Sequence, residues 1–231
     1  MLVTQQPVFR KFWHAVMPLS ALASGPQPFT LLGEAIVLFL DAQGEPAALR
    51  DRCCHRTAKL SRGWCVDAQG QACERGHIQC GYHGWTYDRG GKVIRIPQYE
   101  ESRAVPPDYK TQAYHCTARY GYAWVALDEP IADIPDIPEF SNPAWRTIFQ
   151  FYETWATSPM RALENSFDNS HFSFVHRATF GVPDAPQPSK YELIENDTGF
   201  YAETVIAAAN PEKFHRISGV QDAVTTRHMR N

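Results

Sequence analysis

The sequence has no long hydrophobic run, no excess of charge of one sign and no signal-peptide pattern. Its longest purely apolar run, from Ala35 to Leu40, is far shorter than the roughly 20 residues that a membrane-spanning helix needs. The 22 Lys and Arg residues nearly balance 25 Asp and Glu residues, so the net charge is only −3. This balance argues against a nucleic-acid surface that works by bulk charge. The N-terminus has no apolar h-region, and we therefore expect a cytoplasmic protein without a membrane span.

The composition is that of a folded protein. Hydrophobic residues make up 44% of the 231 residues and charged residues 20%, which is enough apolar surface for a core and too little charge for disorder. This length fits one large domain or two small ones.

The first part of the chain consists of short apolar runs separated by Gly, Asp and Pro, a pattern that predicts β-strands. The pair Gly90-Gly91 predicts a hairpin. A segment rich in proline and acidic residues at about 128–138 has the composition of a linker, and it divides a domain at 1–135 from a second at 139–231. The predicted strands are Ala35 to Leu40, Pro46 to Arg50, Ile78 to Cys80, Trp85 to Tyr87, Lys92 to Ile96 and Tyr122 to Leu127.

The second part changes period. A β-rich run from Thr147 to Thr154 is followed by Ser158-Pro159, a helix start with Ser as N-cap and Pro at the first helical position. We expect one helix from Met160 to about His176, ended near Gly181. Two further strands, Tyr191 to Glu195 and Phe200 to Ala207, flank a turn at residues 196–199.

Two short motifs in the first part combine cysteine with histidine. Cys53 and His55 form C-x-H, and Cys80 and His83 form C-x-x-H. Zinc would accept the same four side chains, but an ordinary zinc ribbon takes two cysteines from one loop. A Rieske centre needs the mixture seen here, with two cysteines on one iron and two histidines on the other.

The remaining cysteines and histidines have simpler interpretations. Cys54 occupies the variable position of C-x-H and is not expected to be a ligand. Cys65 and Cys73 could pair with each other or bind an ion, but buried or loop thiols are the simpler interpretation. Cys116 is expected in the core. His77, His14 and His115 receive no ligand role.

The stretch from Arg52 to Asp88 resembles the Rieske domain of the catalytic α subunit of Rieske non-haem iron oxygenases. Cys53-Cys54-His55-Arg56 and Cys80-Gly81-Tyr82-His83-Gly84-Trp85 carry the resemblance. It implies a mainly β domain, a small antiparallel β-sandwich, that binds a 2Fe-2S cluster. The connection between the two motifs is longer than usual, which indicates an inserted loop at about 67–76.

The predicted helix holds a second set of polar residues. Asn165, Asp168 and His171 are three residues apart and share one face. His176 lies about 140° from that face on a regular helix. The two imidazoles can reach one ion only if the helix widens, as in a π-type turn, or breaks. Spacing alone is also compatible with an amphipathic helix that carries two unrelated histidines.

The run Asn165-x-x-Asp168-x-x-His171-x4-His176 resembles the mononuclear-iron helix of the same oxygenases, in the form found in the monooxygenase and demethylase branches. The resemblance implies that His171 and His176 bind Fe(II), and that Asp168 links His171 to the cluster residue His83 of a neighbouring subunit. Asn165 and Glu164 would support these ligands. The implied second domain is an incomplete α+β catalytic domain of the helix-grip type, an antiparallel sheet with helices.

The resemblance also implies the partners and the reaction. A separate reductase, with or without a ferredoxin, would deliver electrons from NAD(P)H to the cluster, and the iron would use O2 to hydroxylate or demethylate a small organic, aromatic or cyclic substrate. A homotrimer would bring cluster and iron of neighbouring subunits together. No partner is expected among nucleic acids. No dinucleotide-binding glycine motif occurs in the sequence, in agreement with an external reductase.

The third iron ligand of the family is an Asp or Glu well downstream of the histidine pair. The carboxylates after His176 lack the family's setting, so the chain is expected to stop before this ligand. Two alternatives remain open: a Rieske-type electron-transfer protein without catalysis of its own, and a zinc-binding interaction module. The carboxylates considered are Asp184, Glu192, Glu195, Asp197, Glu203, Glu212 and Asp222.

Overall fold

The computed structural model describes residues 5–100, 102–149, 152–196 and 199–230. The chain forms two compact units, the first ending at Glu153 and the second beginning at Thr154. The proline-rich segment at 128–138 lies within the first unit, because two side chains hold it there. Arg119 Nη1 donates to the carbonyl of Ile134 at 2.6 Å, and the Tyr120 hydroxyl donates to the carbonyl of Pro135 at 3.0 Å.

The first unit is built from antiparallel strands and short 3-10 helices, and the second from three strands and three α-helices within the described residues. The strands are β1 His14–Pro18, β2 Gln27–Leu31, β3 Glu34–Leu40, β4 Pro46–Arg50, β5 Trp64–Val66, β6 His77–Gln79, β7 Thr86–Tyr87, β8 Val93–Arg95, β9 Ala113–Arg119, β10 Tyr122–Ala126, β11 Lys190–Asn196, β12 Gly199–Ala209 and β13 Val224–Arg230. The α-helices are α1 Pro159–Phe167, α2 Phe172–Val175 and α3 Glu212–Ser218. The 3-10 helices are Pro7–Lys11, Leu19–Ser24, Leu60–Arg62 and Pro138–Ser141.

A six-stranded sheet with the order β1-β10-β9-β4-β3-β2 separates two apolar cores in the first unit. Side chains alternate between the faces of a strand. Val37 and Phe39 of β3 therefore enter one core, whereas Ile36 and Leu38 enter the other. All four are fully buried, so β3 reads as a continuous apolar run.

A four-stranded sheet with the order β5-β6-β7-β8 closes the core on the side of Val37 and Phe39. Its strands are only two or three residues long, and tight backbone contact keeps it compact. A Cβ on Gly63 would lie 1.8 Å from the carbonyl oxygen of Gln79, so only glycine fits there. The longer connection between the two cysteine motifs forms a turn between β5 and β6, in which Asp67 N donates to Gln71 O at 2.9 Å.

The two sheets of the first unit confirm the mainly β, antiparallel sandwich that the sequence predicts. Each of the six strands predicted between Ala35 and Leu127 is present within a residue or two of its predicted limits. The strand predicted from the β-rich run Thr147 to Thr154 is wrong, since the described residues of this run form no strand. This segment contacts the six-stranded sheet through side chains instead: Tyr152 OH donates to Val16 O at 2.9 Å, and no ladder partner is available to it in the described part of the chain.

The second unit begins with α1, which starts where the sequence predicts. Ser158 Oγ accepts a hydrogen bond from Arg161 N at 3.4 Å, and Pro159 is the first helical residue. The single helix expected from Met160 to His176 is wrong, because α1 ends at Phe167 and α2 begins at Phe172. At the break, Asp168 Oδ1 accepts the N–H of Ser170 at 2.8 Å, a local bond that competes with helical hydrogen bonds.

A three-stranded antiparallel sheet with the order β11-β12-β13 completes the described part of the second unit. Its strands confirm the two predicted at 191–195 and 200–207. Residues 197–198 of the predicted turn at 196–199 lie outside the described residues. In the described ranges, no helix is both long and apolar enough to cross a bilayer.

Candidate functional site

The two cysteine motifs lie on loops with the same main-chain hydrogen bonds. Cys53 N donates to Ala58 O at 2.8 Å, and Cys53 O accepts from Thr57 N at 3.0 Å. In the second loop Cys80 N donates to Trp85 O at 2.9 Å, and Cys80 O accepts from Gly84 N at 3.0 Å. Each cysteine therefore closes a ring with the residues four and five positions later. We call these rings the first and the second cluster loop.

Both loops turn at a residue with a left-handed backbone. Thr57 has a φ of 57° and Gly84 a φ of 74°. Glycine adopts this conformation freely, and a β-branched residue does so rarely. Gly84 is also confined by packing, because a Cβ there would lie 2.9 Å from Pro97 Cγ.

The loops bring Cys53 and Cys80 together in the core, where both are only 2% exposed. Their thiols hydrogen-bond to each other, and this bond lowers the pKa of Cys53 to about 5, with Tyr87 adding a second hydrogen bond and burial opposing the shift. The pKa of Cys80 is raised because it supplies the proton in the bond to Cys53, and burial adds to the shift. One of the two sulfurs is therefore ready to be a thiolate ligand.

The histidines of the two motifs also meet. The ring centroids of His55 and His83 are 4.8 Å apart. His55 stacks on Trp85 at 4.4 Å with an angle of 4° between the planes, and Trp85 stacks in turn on Tyr109 at 5.2 Å. Tyr82 lies 3.8 Å from the ring of His83 and is 64% exposed. The histidine side of the loops thus faces solvent, whereas the cysteine side faces the core.

This donor set suits a two-iron cluster better than a single ion. A buried pair of sulfurs lies on one side and a pair of imidazoles on the other, so each iron would take two protein ligands. Within the described residues, no three or more His, Cys, Asp or Glu side chains converge as the ligands of one metal ion. The arrangement fits the division of ligands that the sequence suggests.

Several residues around the cysteines were missed by the sequence reasoning. The Tyr87 hydroxyl lies 3.0 Å from Cys53 Sγ and accepts the N–H of Cys54 at 3.1 Å. Asp51, which is buried, accepts from the N–H and the hydroxyl of Ser61, both at 2.7 Å, and so closes the base of the first cluster loop. Each of these contacts joins residues at least ten positions apart, and local spacing does not reveal them.

The other cysteines are free thiols. Cys54 is exposed, which agrees with its position between the two ligand candidates. Cys65 is buried and Cys73 is half-buried, with Cys73 Sγ donating to Arg75 O at 2.9 Å. Cys116 is also half-buried, in strand β9.

In the second unit, the helix break brings His171 and His176 close together. His171 precedes α2 and His176 follows it. Because α2 has only four residues, the two side chains do not keep the offset of a long helix. Their ring centroids lie 5.3 Å apart. The single turn of α2 lies between the two histidines and is separate from α1, and no residue from His171 to His176 is in a π-helix.

Asp168 lies beside the first of these histidines. Its Oδ2 is 3.5 Å from His171 Nδ1, just outside good hydrogen-bond length. His171 Nδ1 is buried and has no hydrogen-bond partner within the described residues. The Asp168 side chain is 53% exposed, so one carboxylate oxygen can face the imidazole while the rest of the group faces solvent.

Of the other polar residues on these helices, the structure places Asn169 rather than Asn165 inward. Asn169 Nδ2 donates to Thr204 Oγ1 at 3.0 Å, and its Oδ1 is buried without a partner in the described part of the chain. Asn165 is exposed on α1. Glu164 forms an ion pair with Arg161. Within the described residues, neither Asn165 nor Glu164 has a side-chain hydrogen bond or ion pair to His171 or His176, so their expected supporting roles stay predictions.

Within the described residues of the second unit, no carboxylate forms a group of three metal ligands with His171 and His176. Glu203 is engaged with Lys190. Asp197 lies outside the described residues. Among the carboxylates after His176 that the structure describes, none is therefore placed to be a third iron ligand.

Comparison with known families gives two matches, one in each compact unit of the chain. Residues 12–114 match the Rieske [2Fe-2S] domain. Residues 155–230 match the vanillate O-demethylase oxygenase C-terminal domain. The chain belongs to the Rieske oxygenase family. Both matches contain the site residues discussed above, Cys53 to His83 in the first and Asp168 to His176 in the second.

Curated relatives of this Rieske oxygenase chain include demethylases and monooxygenases. It is 35% identical over 190 residues to methylxanthine N3-demethylase NdmB of Pseudomonas putida, covering 79% of this chain and 52% of the relative. It is 31% identical over 190 residues to the toluene-4-sulfonate monooxygenase iron-sulfur subunit TsaM1 of Comamonas testosteroni, covering 80% of this chain and 50% of the relative.

Solved structures give the same result. NdmA of Pseudomonas putida CBB5 superposes with a TM-score of 0.71 at 29% identity, over 89% of this chain and 65% of that one. Dicamba monooxygenase bound to dicamba superposes with a TM-score of 0.73 at 26% identity, over 96% of this chain and 63% of that one. The chain spans about half the length of the curated relatives it matches.

Proposed function

We propose that this chain is part of the oxygenase component of a multicomponent Rieske oxygenase that hydroxylates or demethylates a small organic substrate. The observation that carries the proposal is the convergence of two separate ligand sets. Cys53, Cys80, His55 and His83 meet on the paired cluster loops, and His171 and His176 meet around α2. The family matches fall on the same two regions.

Cys53, His55, Cys80 and His83 would hold a 2Fe-2S cluster, and His171 and His176 would hold Fe(II). When bound, the cluster would store one electron and the iron would activate O2. The chain prepares the first site by burying both sulfurs and keeping Cys53 ionised. It also leaves His55 accessible to solvent, so that an electron donor can approach within a short distance.

Asp168 would set the tautomer of His171. A carboxylate next to Nδ1 keeps the proton on that nitrogen and leaves Nε2 free to bind metal. Its exposed side could accept a hydrogen bond from His83 of a second copy, which would give a hydrogen-bonded route between the two centres. This role requires a homo-oligomer, and we propose a trimer.

The partners follow from the same proposal. A separate NAD(P)H-dependent reductase, with or without a ferredoxin, would supply electrons. The substrate would be a small aromatic or cyclic molecule, because the curated relatives named above act on methylxanthines and toluene sulfonate. The cytoplasmic location stays a prediction.

Metal content and spectroscopy test the proposal. The chain, produced in iron-replete cells and purified without oxygen, should be red-brown and give a Rieske EPR signal after reduction. Two irons per chain should belong to the cluster and a third should be lost in His171→Ala/His176→Ala. A colourless zinc protein would refute the Rieske site. Two irons that stay unchanged in the double variant would instead support an electron-transfer protein.

A further inference from the structure

The guanidinium of Arg227 lies over two aromatic rings of the second unit. Its Cζ is 5.2 Å from the ring centroid of Phe172 and 5.1 Å from that of Phe180. Arg227 belongs to β13 and pairs with Ile206, one of the most buried residues of β12. The sheet thus fixes the backbone from which the cation reaches the two rings.

The same two rings contact both histidines of the α2 region. Phe180 stacks on His176 at 4.6 Å with an angle of 20° between the planes, and Phe172 meets His171 edge-on at 4.7 Å. Phe172 also lies 5.8 Å from His176. One cation, two phenyl rings and two imidazoles therefore form a continuous cluster, which we call the Arg227 cluster.

The imidazoles have little else to hold them. α2 has a single turn, and His176 lies outside it. The His176 ring makes no hydrogen bond within the described residues, and His171 Nδ1 has only the 3.5 Å approach of Asp168. Stacking on Phe180 and contact with Phe172 are thus the contacts that define how the two rings are oriented.

The charge of Arg227 is held by rings rather than by an acid. Arg227 is an exposed residue of β13, and no Asp or Glu forms an ion pair with it within the described residues. A cation is attracted to the faces of aromatic rings. Phe172 and Phe180 lie 5.3 Å apart at 88° to each other, so the flat guanidinium can stack on one ring while its charge lies near both. A lysine would provide the charge but not the flat surface, and a methionine would provide neither.

We propose that Arg227 is a positioning residue that holds Phe172 and Phe180 against His171 and His176, so that both imidazoles point to one place. The inference rests on the proposed function only in naming that place as the Fe(II) site. The physical claim concerns the orientation of the two rings and can be measured without metal.

The decisive experiment is NMR of the full chain with ring-labelled histidine, with His171 and His176 assigned by single substitution. Wild type should show His176 ring protons shifted upfield by Phe180, each as one sharp set. Arg227→Met should lose most of that shift and broaden the signals. Arg227→Lys should keep part of it. Arg216→Met, on the exposed surface of α3, is the matched control and should match wild type.

Metal affinity gives a second readout with Co(II) as the probe. Arg227→Met should weaken binding about tenfold or more, in the range seen when residues behind a metal ligand are removed, and Arg227→Lys should recover part of the loss. Histidine signals and Co(II) affinity that match wild type in Arg227→Met would overturn the inference. If that variant does not fold, Arg227→Lys decides, because an unchanged His176 spectrum there combined with unchanged Co(II) affinity would also overturn it.

The two proposals fail in distinguishable ways. Wild type that binds no Co(II) would count against the iron site of the proposed function, yet the histidine signals would still report on Arg227. Wild type that binds Co(II) with signals insensitive to Arg227 would leave the proposed function standing and remove the positioning role.

Discussion

The hydroxyl of Tyr87 lies 3.0 Å from the sulfur of Cys53. Tyr87 is completely buried, and its hydroxyl also accepts the N–H of Cys54. Two sulfurs are within reach of the hydroxyl proton, Cys53 Sγ and, at 3.4 Å, Cys54 Sγ; with Cys53 as a thiolate, the nearer sulfur Cys53 Sγ can only accept it. Hydrogen bonds to the sulfurs of a cluster stabilise the reduced, more negative state and raise the reduction potential.

Tyr87→Phe should therefore lower the reduction potential of the cluster. A hydrogen bond worth about 1 kcal/mol corresponds to about 40 mV for one electron. The potential can be measured by a spectroelectrochemical titration. Tyr109→Phe is the control, because Tyr109 stacks on Trp85 without touching a sulfur. A potential equal to wild type in Tyr87→Phe would show that the contact does not tune the cluster.

The metal-free chain should carry one thiolate on the Cys53 and Cys80 pair at neutral pH. The pKa of Cys53 is lowered to about 5, so ionisation should be complete well below the usual pKa of a thiol. Its stabilising contribution is present above the unfolded pKa of about 8.5 and is lost as the pH falls toward 5. Thiolate absorbance at 240 nm should rise through about pH 5.

Two variants check the assignment of that thiolate. Cys53→Ala should remove the absorbance step near pH 5, and Cys116→Ala should keep it. A step of the same size in Cys53→Ala would place the thiolate elsewhere. The experiment needs the apo chain, because a bound iron would ionise both sulfurs.

Asp168→Asn should leave both metals bound and slow electron transfer between them. An amide is a poorer acceptor for the His171 proton and lacks the charge that stabilises it. Oxidation of the reduced cluster by O2 and substrate in one turnover should slow about 100-fold, the upper range for residues behind a metal ligand. Glu164→Gln, on the exposed side of α1, should react at the wild-type rate. Fast oxidation in Asp168→Asn would exclude the relay role.

Thr57→Gly should stabilise the first unit. Thr57 has a φ of 57°, which costs a β-branched residue about 1 kcal/mol or more, whereas glycine adopts it without strain. We expect a gain of about 0.5 kcal/mol after the added freedom of the unfolded chain is counted. Urea unfolding measures it. The reciprocal change, Gly84→Ala, should destabilise, because its Cβ would also meet Pro97. A loss of stability in Thr57→Gly would mean that the threonine side chain contributes more than its backbone costs.

The proposed electron donor should carry an acidic surface. Four exposed cations lie in and beside the first cluster loop, with no acidic residue from position 52 to position 66, although the whole chain carries −3. These cations are Arg52, Arg56, Lys59 and Arg62. None of them is in an ion pair within the described residues.

Reduction of the cluster by a reduced, acidic plant-type [2Fe-2S] ferredoxin should then depend on salt. We expect the rate constant to fall about tenfold between low and physiological ionic strength, since surface charges steer association. Arg56→Glu/Lys59→Glu should lower the low-salt rate by a similar factor, and Arg216→Glu should not. Rates that ignore both salt and charge reversal would exclude this face as the docking site.

The sequence predicts the ligand sets well because they depend on spacing. C-x-H and C-x-x-H place a sulfur and an imidazole on each loop, and strand limits follow from apolar runs bounded by turns. The Cys53 to Tyr87 contact spans 34 positions and depends on how two sheets pack, which no local pattern encodes. No local pattern encodes the contacts of Arg227 either, because its partners Phe172 and Phe180 lie about 50 positions earlier in the chain.

The helix of the second site was predicted too long for a different reason. Residues 160–176 have helical spacing throughout, but Asp168 can bond its own neighbour, Ser170 N, at 2.8 Å. Asp competes with helical hydrogen bonds in this way, and periodicity does not register the competition. The strand predicted at Thr147 to Thr154 is wrong because a residue run with strand propensity also needs a partner strand, and the described part of this segment has none.

The long connection between the cysteine motifs joins the end of β5 to the start of β6. These two strand ends are the ones farther from the cluster ligands. Val66 pairs with His77 beside this connection, and Trp64 pairs with Gln79 beside Cys80. Two residue steps of strand, about 7 Å, separate the two ends. This turn is therefore a suitable place to graft a peptide tag or a tether to an electrode, because added length there leaves the loops around the cysteines unchanged and keeps an attached conductor within tunnelling range.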